Sequence, residues 1–212
     1  MSDIRSDATA ADLQARGVFD LSSGLESARR TFREFRSSLV PIVKGEFSST
    51  SMGLLTMVTR AQAFHDGALA AIEADNPWTA HALIRSYAEN AAVLLWMLDK
   101  PDELGRLSML AHESERFAIG RVVSSANKRA PGFKALYAHL SEYAHPVVST
   151  FNEGWQADGE SRVATWTSVP TFKVQDQRQW TCFWLVELTE VHANTWPGLY
   201  QASVRRSSPD AV

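Results

Sequence analysis

Two lines of polar residues at helical spacing are the parts of this sequence best suited to chemistry. "HALIRSYAENAAVLLWML", residues 81–98, carries His81, Arg85 and Glu89 at i, i+4 and i+8, positions that share one slowly drifting face of a helix. "YAHLSEYAHP", residues 137–146, carries Tyr137, Ser141 and His145 at the same spacing. An Arg and a Glu four residues apart can pair directly, Tyr and His can donate to the carboxylate, and Ser can bridge. Apolar residues crowd both segments, among them Ala88, Ala91, Leu94 and Leu95 on the first and Leu136, Leu140 and Ala144 on the second. The two lines are therefore expected to face each other as a buried cluster of Arg85, Glu89, Tyr137, Ser141 and His145. Charges inside a core are costly unless paired. Such a cluster either fixes helix register as a satisfied network or binds a ligand and moves protons. His81 is its least supported member, because nothing in the second line calls for it.

Other chemistry is thinner. A carboxylate-bridged di-metal bundle needs Glu-x-x-His on two helices and a Glu on each of two more. The chain offers "HESE" at 112–115 in reverse order, Glu89 alone, and Glu187 with Glu190; no metal and no cofactor is expected. Gly-rich phosphate loops, nucleophile elbows and His-Glu-x-x-His are all lacking. The single cysteine, Cys182, lies among aromatics in "QWTCFWLVEL" and reads as a buried structural thiol. "ARRTFREFR", residues 28–36, sets Arg29, Arg30, Arg33 and Arg36 on one helix, and Lys128-Arg129 and Arg205-Arg206 add local basic patches. These read as solvated faces, with phosphate contact as the alternative.

The elements that must position these residues are helical. Leu25, Ala28, Phe32, Phe35 and Leu39 recur at steps of three and four and predict a helix from about residue 22 to 44, kinked or ended by Pro41. A second, over 50–74, has the stripe Leu54, Met57, Val58, Ala61, Phe64, Ala68 and Ile72. "DNPW" at 75–78 starts a third, with Asn76 as N-cap and Pro77 at the first helical position, running to about Asp99. A fourth is expected over 102–128, a short fifth over 133–144 and a last over 176–200 with Trp180, Trp184, Leu188 and Val191 on one side. Residues 146–176 read as a long loop in which "SRVATWTSVPTFKV" could form a small hairpin. Residues 1–20 are expected to be a flexible arm and 204–212 a disordered tail, flanking one domain over 21–203. The fold class is all-α: an antiparallel bundle of five to six helices with one long irregular excursion.

Composition agrees. The chain has 212 residues, 45% hydrophobic and 21% charged, with a net charge of −3, an ordinary globular balance. The acidic net charge argues against nucleic-acid binding by the chain as a whole. Its longest apolar run, "AAVLLWML", is eight residues, far short of the ~20 that span a bilayer. No membrane association and a cytoplasmic location are expected.

Two resemblances bear on these residues. Arg85, Ser86 and Glu89, followed by Tyr137, Leu140, Ser141 and His145, resemble a group of uncharacterised bacterial all-helical proteins. That group pairs an Arg-Ser-x-x-Glu helix with a later Tyr-x-x-Leu-Ser-x-x-x-His motif. This resemblance, over residues 60–146, implies a helical fold and the polar cluster but no activity. A second is to the HEPN superfamily, whose active members cut RNA as dimers using Arg, four to six residues, then His. Arg60 to His65 in "RAQAFH" and Arg106 to His112 in "RLSMLAH" have that spacing. The residues following the arginines, Ala61 and Leu107, depart from the polar residue usual there. The resemblance implies a His that exchanges a proton during 2′-hydroxyl attack and an Arg that holds the phosphate, with RNA and a homodimer as partners. Three functions follow as expectations: a binding or regulatory module, a HEPN-like ribonuclease or toxin in phage defence, and a hydrolytic or metal-dependent enzyme centred on Glu89 and His145.

Overall fold

The structure is a computed structural model describing residues 9–43, 48–107, 117–144, 154–157 and 164–207. It is all-α, with seven α-helices and one 3-10 turn among the described residues. These are α1 (Ala10–Ala15), α2 (Leu21–Leu39), α3 (Ser49–Glu73), α4 (Pro77–Asp99), the 3-10 turn (Pro101–Leu107), α5 (Ile119–Arg129), α6 (Phe133–Ala144) and α7 (Gln175–Ser207). A two-stranded antiparallel ribbon, β1 (Trp155–Ala157) and β2 (Ala164–Trp166), sets Trp155 opposite Trp166.

Local signals account for most helix ends. Asp20 caps α2 by accepting from the Ser23 amide, while the Ser23 hydroxyl lies 2.9 Å from the Asp20 amide. Ser48 caps α3. Between α3 and α4, Asp75 takes a left-handed φ of 57°, a conformation Asp tolerates better than most residues. Asn76 then caps α4 through the Thr79 amide at 3.1 Å, with Pro77 following. The stripe Leu25, Ala28, Phe32, Phe35 and Leu39 is buried as its spacing requires.

Helix α4 is the hub, packed against α3, α5, α6 and α7. It can be, because Ala80, Ile84, Tyr87, Ala88, Ala91, Ala92, Leu95 and Met97 leave little of its circumference polar. Helix α7 runs against α2, α3 and α4 and buries Cys182, Phe183, Leu185, Leu188, Val191 and Trp196. A polar seam crosses this core. Thr189 donates to the Leu185 carbonyl at 2.7 Å, so Tyr87 donates to Thr189 at 2.9 Å. His192 Nδ1 donates to the Leu188 carbonyl at 2.7 Å, which leaves Nε2 to accept from Asn90 Nδ2 at 3.2 Å. The Tyr87 and His192 rings stack at 4.5 Å.

Three expectations about elements are corrected. Residues 10–15 are helical rather than a flexible arm: Thr9 and Asp12 form a capping box, Leu13 and Val18 are buried, and Arg16 pairs with Glu190 of α7. The 102–128 helix is a 3-10 turn and a separate α5, with 108–116 outside the described residues. The last helix continues through Pro197 to Ser207, past the expected start of a tail at 204. No described helix is long and apolar enough to cross a membrane.

Candidate functional site

The two polar lines do meet, as a clasp between α4 and α6. The Tyr137 hydroxyl accepts from Arg85 Nη2 at 3.0 Å and from Nε at 3.3 Å, and donates to Glu89 Oε1 at 2.8 Å. Arg85 and Glu89 are 3.4 Å apart, and the guanidinium lies 5.3 Å from the Tyr137 ring centroid. Burial raises the Tyr137 pKa, the Arg85 bond opposes that, and the Glu89 bond adds to it. The clasp is not buried, which corrects the sequence-based expectation. The Arg85 and Glu89 side chains keep 23% and 34% of their surface in solvent, because they stand at the rim of the α4 face that enters the core. Ser141 is outside the clasp; it donates to the Tyr137 carbonyl within α6 at 2.7 Å. His145 and His112 lie outside the described residues.

Glu89 also lines a cleft of about 290 Å³ with Met57 and Arg60 of α3, Asn90 and Val93 of α4, and Phe117 and Ile119 at the start of α5. Arg60 reaches it from an exposed position over the Phe64 ring at 5.3 Å, with no acid partner among the described residues. Arg106 lies behind Phe117, 4.4 Å from its centroid, and bonds Glu103 at 2.9 Å. Asn90 Nδ2 is engaged by the Met57 carbonyl and His192, whereas its buried Oδ1 has no partner among the described residues. The cleft thus has a cation without an acid partner among the described residues and a carboxylate, in an apolar frame that Asn90 helps to line.

His65 is elsewhere. Five positions on a helix turn the chain by about 500°, so Arg60 and His65 point some 140° apart. His65 is 1% exposed, stacked on Phe32 at 4.5 Å, with Nδ1 3.2 Å from Asp66 Oδ1. It lines a different cleft with Arg29, Arg33 and Arg36. Burial lowers its pKa against the raising influence of Asp66.

His81, set aside in the sequence, is 2% exposed and forms part of an aromatic wall with His139, Tyr143 and Trp184. Asn90, Phe117 and Trp184 were not singled out as functional; a lone Asn within an apolar helix was the one available signal. Cys182 is fully buried, its thiol pushed up to about 12 chiefly by burial, as suits a structural thiol. Among the described residues no three His, Cys, Asp or Glu side chains gather to hold a metal. No family model, curated protein or solved structure matches the chain.

Proposed function

We propose that this protein is a binding module whose cleft between α3, α4 and the start of α5 takes a small zwitterion with an apolar tail. One observation carries this reading: Arg60 and Glu89 line the same cleft without pairing with each other. Arg60 is free to hold a ligand carboxylate by charge-assisted bonds. Glu89, one oxygen of which is held by Tyr137, keeps Oε2 for an ammonium. Met57, Val93, Phe117 and Ile119 supply the apolar walls, and a cleft of about 290 Å³ suits a molecule of amino-acid size. The clasp serves as a positioning device, since Tyr137 and Arg85 fix the Glu89 carboxylate. A ribonuclease centred on Arg60 and His65 has less support, because the two residues line separate clefts.

The test is thermal stabilisation of the full chain by millimolar L-leucine, compared with L-leucinamide, which lacks the carboxylate, and N-acetyl-leucine, which lacks the ammonium. Saturable stabilisation by leucine alone is expected, since a ligand of the native state raises the melting temperature by mass action. Arg60→Ala, at an exposed position outside the clasp, removes the effect. Equal responses to all three compounds, or to none, refute the proposal.

A further inference from the structure

Between α4, α6 and α7 lies a second pocket that the clasp and the zwitterion site do not use. It has a volume of about 190 Å³ and is lined by His81 of α4, His139 and Tyr143 of α6, and Gln177, Trp180 and Trp184 of α7. The rings stand close: His81 to Tyr143 at 3.9 Å, His139 to Trp184 at 5.2 Å, and His81 to Trp184 at 5.8 Å between centroids. Burial pushes the His81 pKa down to about 3, with His139 adding a little, and burial lowers His139 as well. Both imidazoles are therefore neutral near pH 7, and among the described residues no Asp, Glu, Lys or Arg lines the pocket.

The hydrogen-bond pattern fixes the His81 tautomer. Thr181 donates its hydroxyl proton to the Gln177 carbonyl at 2.6 Å, so it has only a lone pair left for His81 Nε2 at 3.3 Å. Nε2 carries the imidazole proton and Nδ1 is a bare acceptor. That acceptor is buried with no partner among the described residues. So is the Trp184 Nε1–H, a donor on the neighbouring ring. An acceptor and a donor, both unmatched among the described residues, thus belong to neighbouring rings whose centroids are 5.8 Å apart.

We infer that this pocket binds an uncharged planar ring presenting a hydrogen-bond donor beside an acceptor, the pattern of a lactam, a carboxamide-bearing heteroaromatic or a pyrimidine edge. Its N–H meets His81 Nδ1, its carbonyl meets the Trp184 indole N–H, and its faces stack on Trp180 and Tyr143. Carboxylates and phosphates are disfavoured because the described lining holds no cation. A quaternary ammonium would suit the aromatic faces but satisfies neither polar atom. Both atoms are shielded from solvent in the free protein, and ligand entry turns the ring edges of His81 and Trp184 toward the pocket.

The experiment titrates the full-length protein with nicotinamide and uracil, with tetramethylammonium and acetate as contrasting probes. The readout is the indole N–H resonance of Trp184, assigned by its loss in Trp184→Phe. A saturable downfield shift with nicotinamide or uracil is expected, and none with acetate. N,N-dimethylnicotinamide, which lacks the donor, is expected to bind about tenfold more weakly. Trp184→Phe removes the indole donor together with part of the ring, and nicotinamide binding to this variant, followed by the Trp180 indole resonance instead, should weaken by about tenfold while the far-ultraviolet spectrum is unchanged. Saturation by tetramethylammonium with no response to the neutral rings overturns the proposal. So does equal affinity for nicotinamide and its dimethyl form, or the absence of any shift with all the probes.

Discussion

Lowering the pH from 7 to 5 should strip this protein of much of its stability, through histidines rather than carboxylates. His81 and His192 are 2% and 1% exposed. Burial is the main cause that brings their pKa values from the ordinary 6.5 down to about 3 and about 4. For His192 the geometry adds a specific obstacle. Its Nδ1–H is committed to the Leu188 carbonyl, and a second proton on Nε2 would face Asn90 Nδ2–H, another donor, at 3.2 Å. Turning the Asn90 amide to offer Oδ1 would give up the bond to the Met57 carbonyl. Below pH 6.5 the unfolded chain binds protons that the folded chain refuses, so the stability is complete above 6.5 and falls as the pH drops towards 4. Each histidine contributes about 1.4 kcal/mol per pH unit in that window, or about 2 kcal/mol by pH 5. The pair removes about 4 kcal/mol, a large share of a typical total of 5–15 kcal/mol. His65 and His139, lowered in the same direction, steepen the loss. The pKa values of Asp20, Glu26 and Glu103 are lowered from 3.8, 4.5 and 4.5, so their contributions are lost only below that range. Urea denaturation followed by circular dichroism at pH 7, 6 and 5 measures this directly. In His192→Gln the slope of stability against pH between 6 and 5 should fall by about 1.4 kcal/mol per unit. A wild-type stability that changes by less than ~0.5 kcal/mol from pH 7 to 5 would show that these imidazoles are not buried as described.

Tyr137→Phe removes the hub of the clasp, but Arg85 and Glu89 remain 3.4 Å apart and wet. The cost should be about 1 kcal/mol, seen as a melting point lower by roughly 2–4 °C; a loss above ~3 kcal/mol would mean the charges are enclosed after all. Gly53→Ala should be far worse, since an added Cβ would stand 1.7 Å from the Leu107 carbonyl oxygen. A loss of about 3 kcal/mol is expected by chemical denaturation, and a neutral result would refute this close approach. The native Cys182 thiol should resist iodoacetamide at pH 8 and react once urea unfolds the chain; rapid native alkylation would contradict its burial.

The helices that carry the core were legible because their signals are local. The Leu25–Leu39 stripe and the Asn76-Pro77 start depend only on neighbours in sequence, and the structure places them where spacing says. The pairing of "IRSYAEN" with "YAHLSEYAH" was legible too, since Arg85, Glu89 and Tyr137 have matching chemistry. Its depth was not. Whether position 85 lies at the centre or the rim of a helix face depends on the angle at which α6 crosses α4, which no spacing encodes. The same limit hid the role of His81. Its partners Trp184 and Thr181 come from a helix about a hundred residues away, where in sequence Trp184 reads simply as part of a core stripe and Thr181 carries no signal. The short α1 escaped notice because a single buried leucine gives no periodicity. It holds through its cap and the Arg16–Glu190 pair.

The position of α7 has a consequence for how this protein comes into being. That helix, 33 residues long, covers faces of α2, α3 and α4, all of which are synthesised before it. At ribosomal speeds of about 5–20 residues per second, α7 alone takes on the order of 2–7 s to make, and the apolar hub of α4 has by then also waited through the 75 residues between the two helices. During that interval Tyr87 has no Thr189 and Asn90 no His192. Asp75, in its left-handed turn, has yet to receive the Phe172 amide and the Arg178 guanidinium that anchor the incoming helix. Chains interrupted within α7 leave these faces of α2, α3 and α4 uncovered and are expected to aggregate more readily than the complete chain.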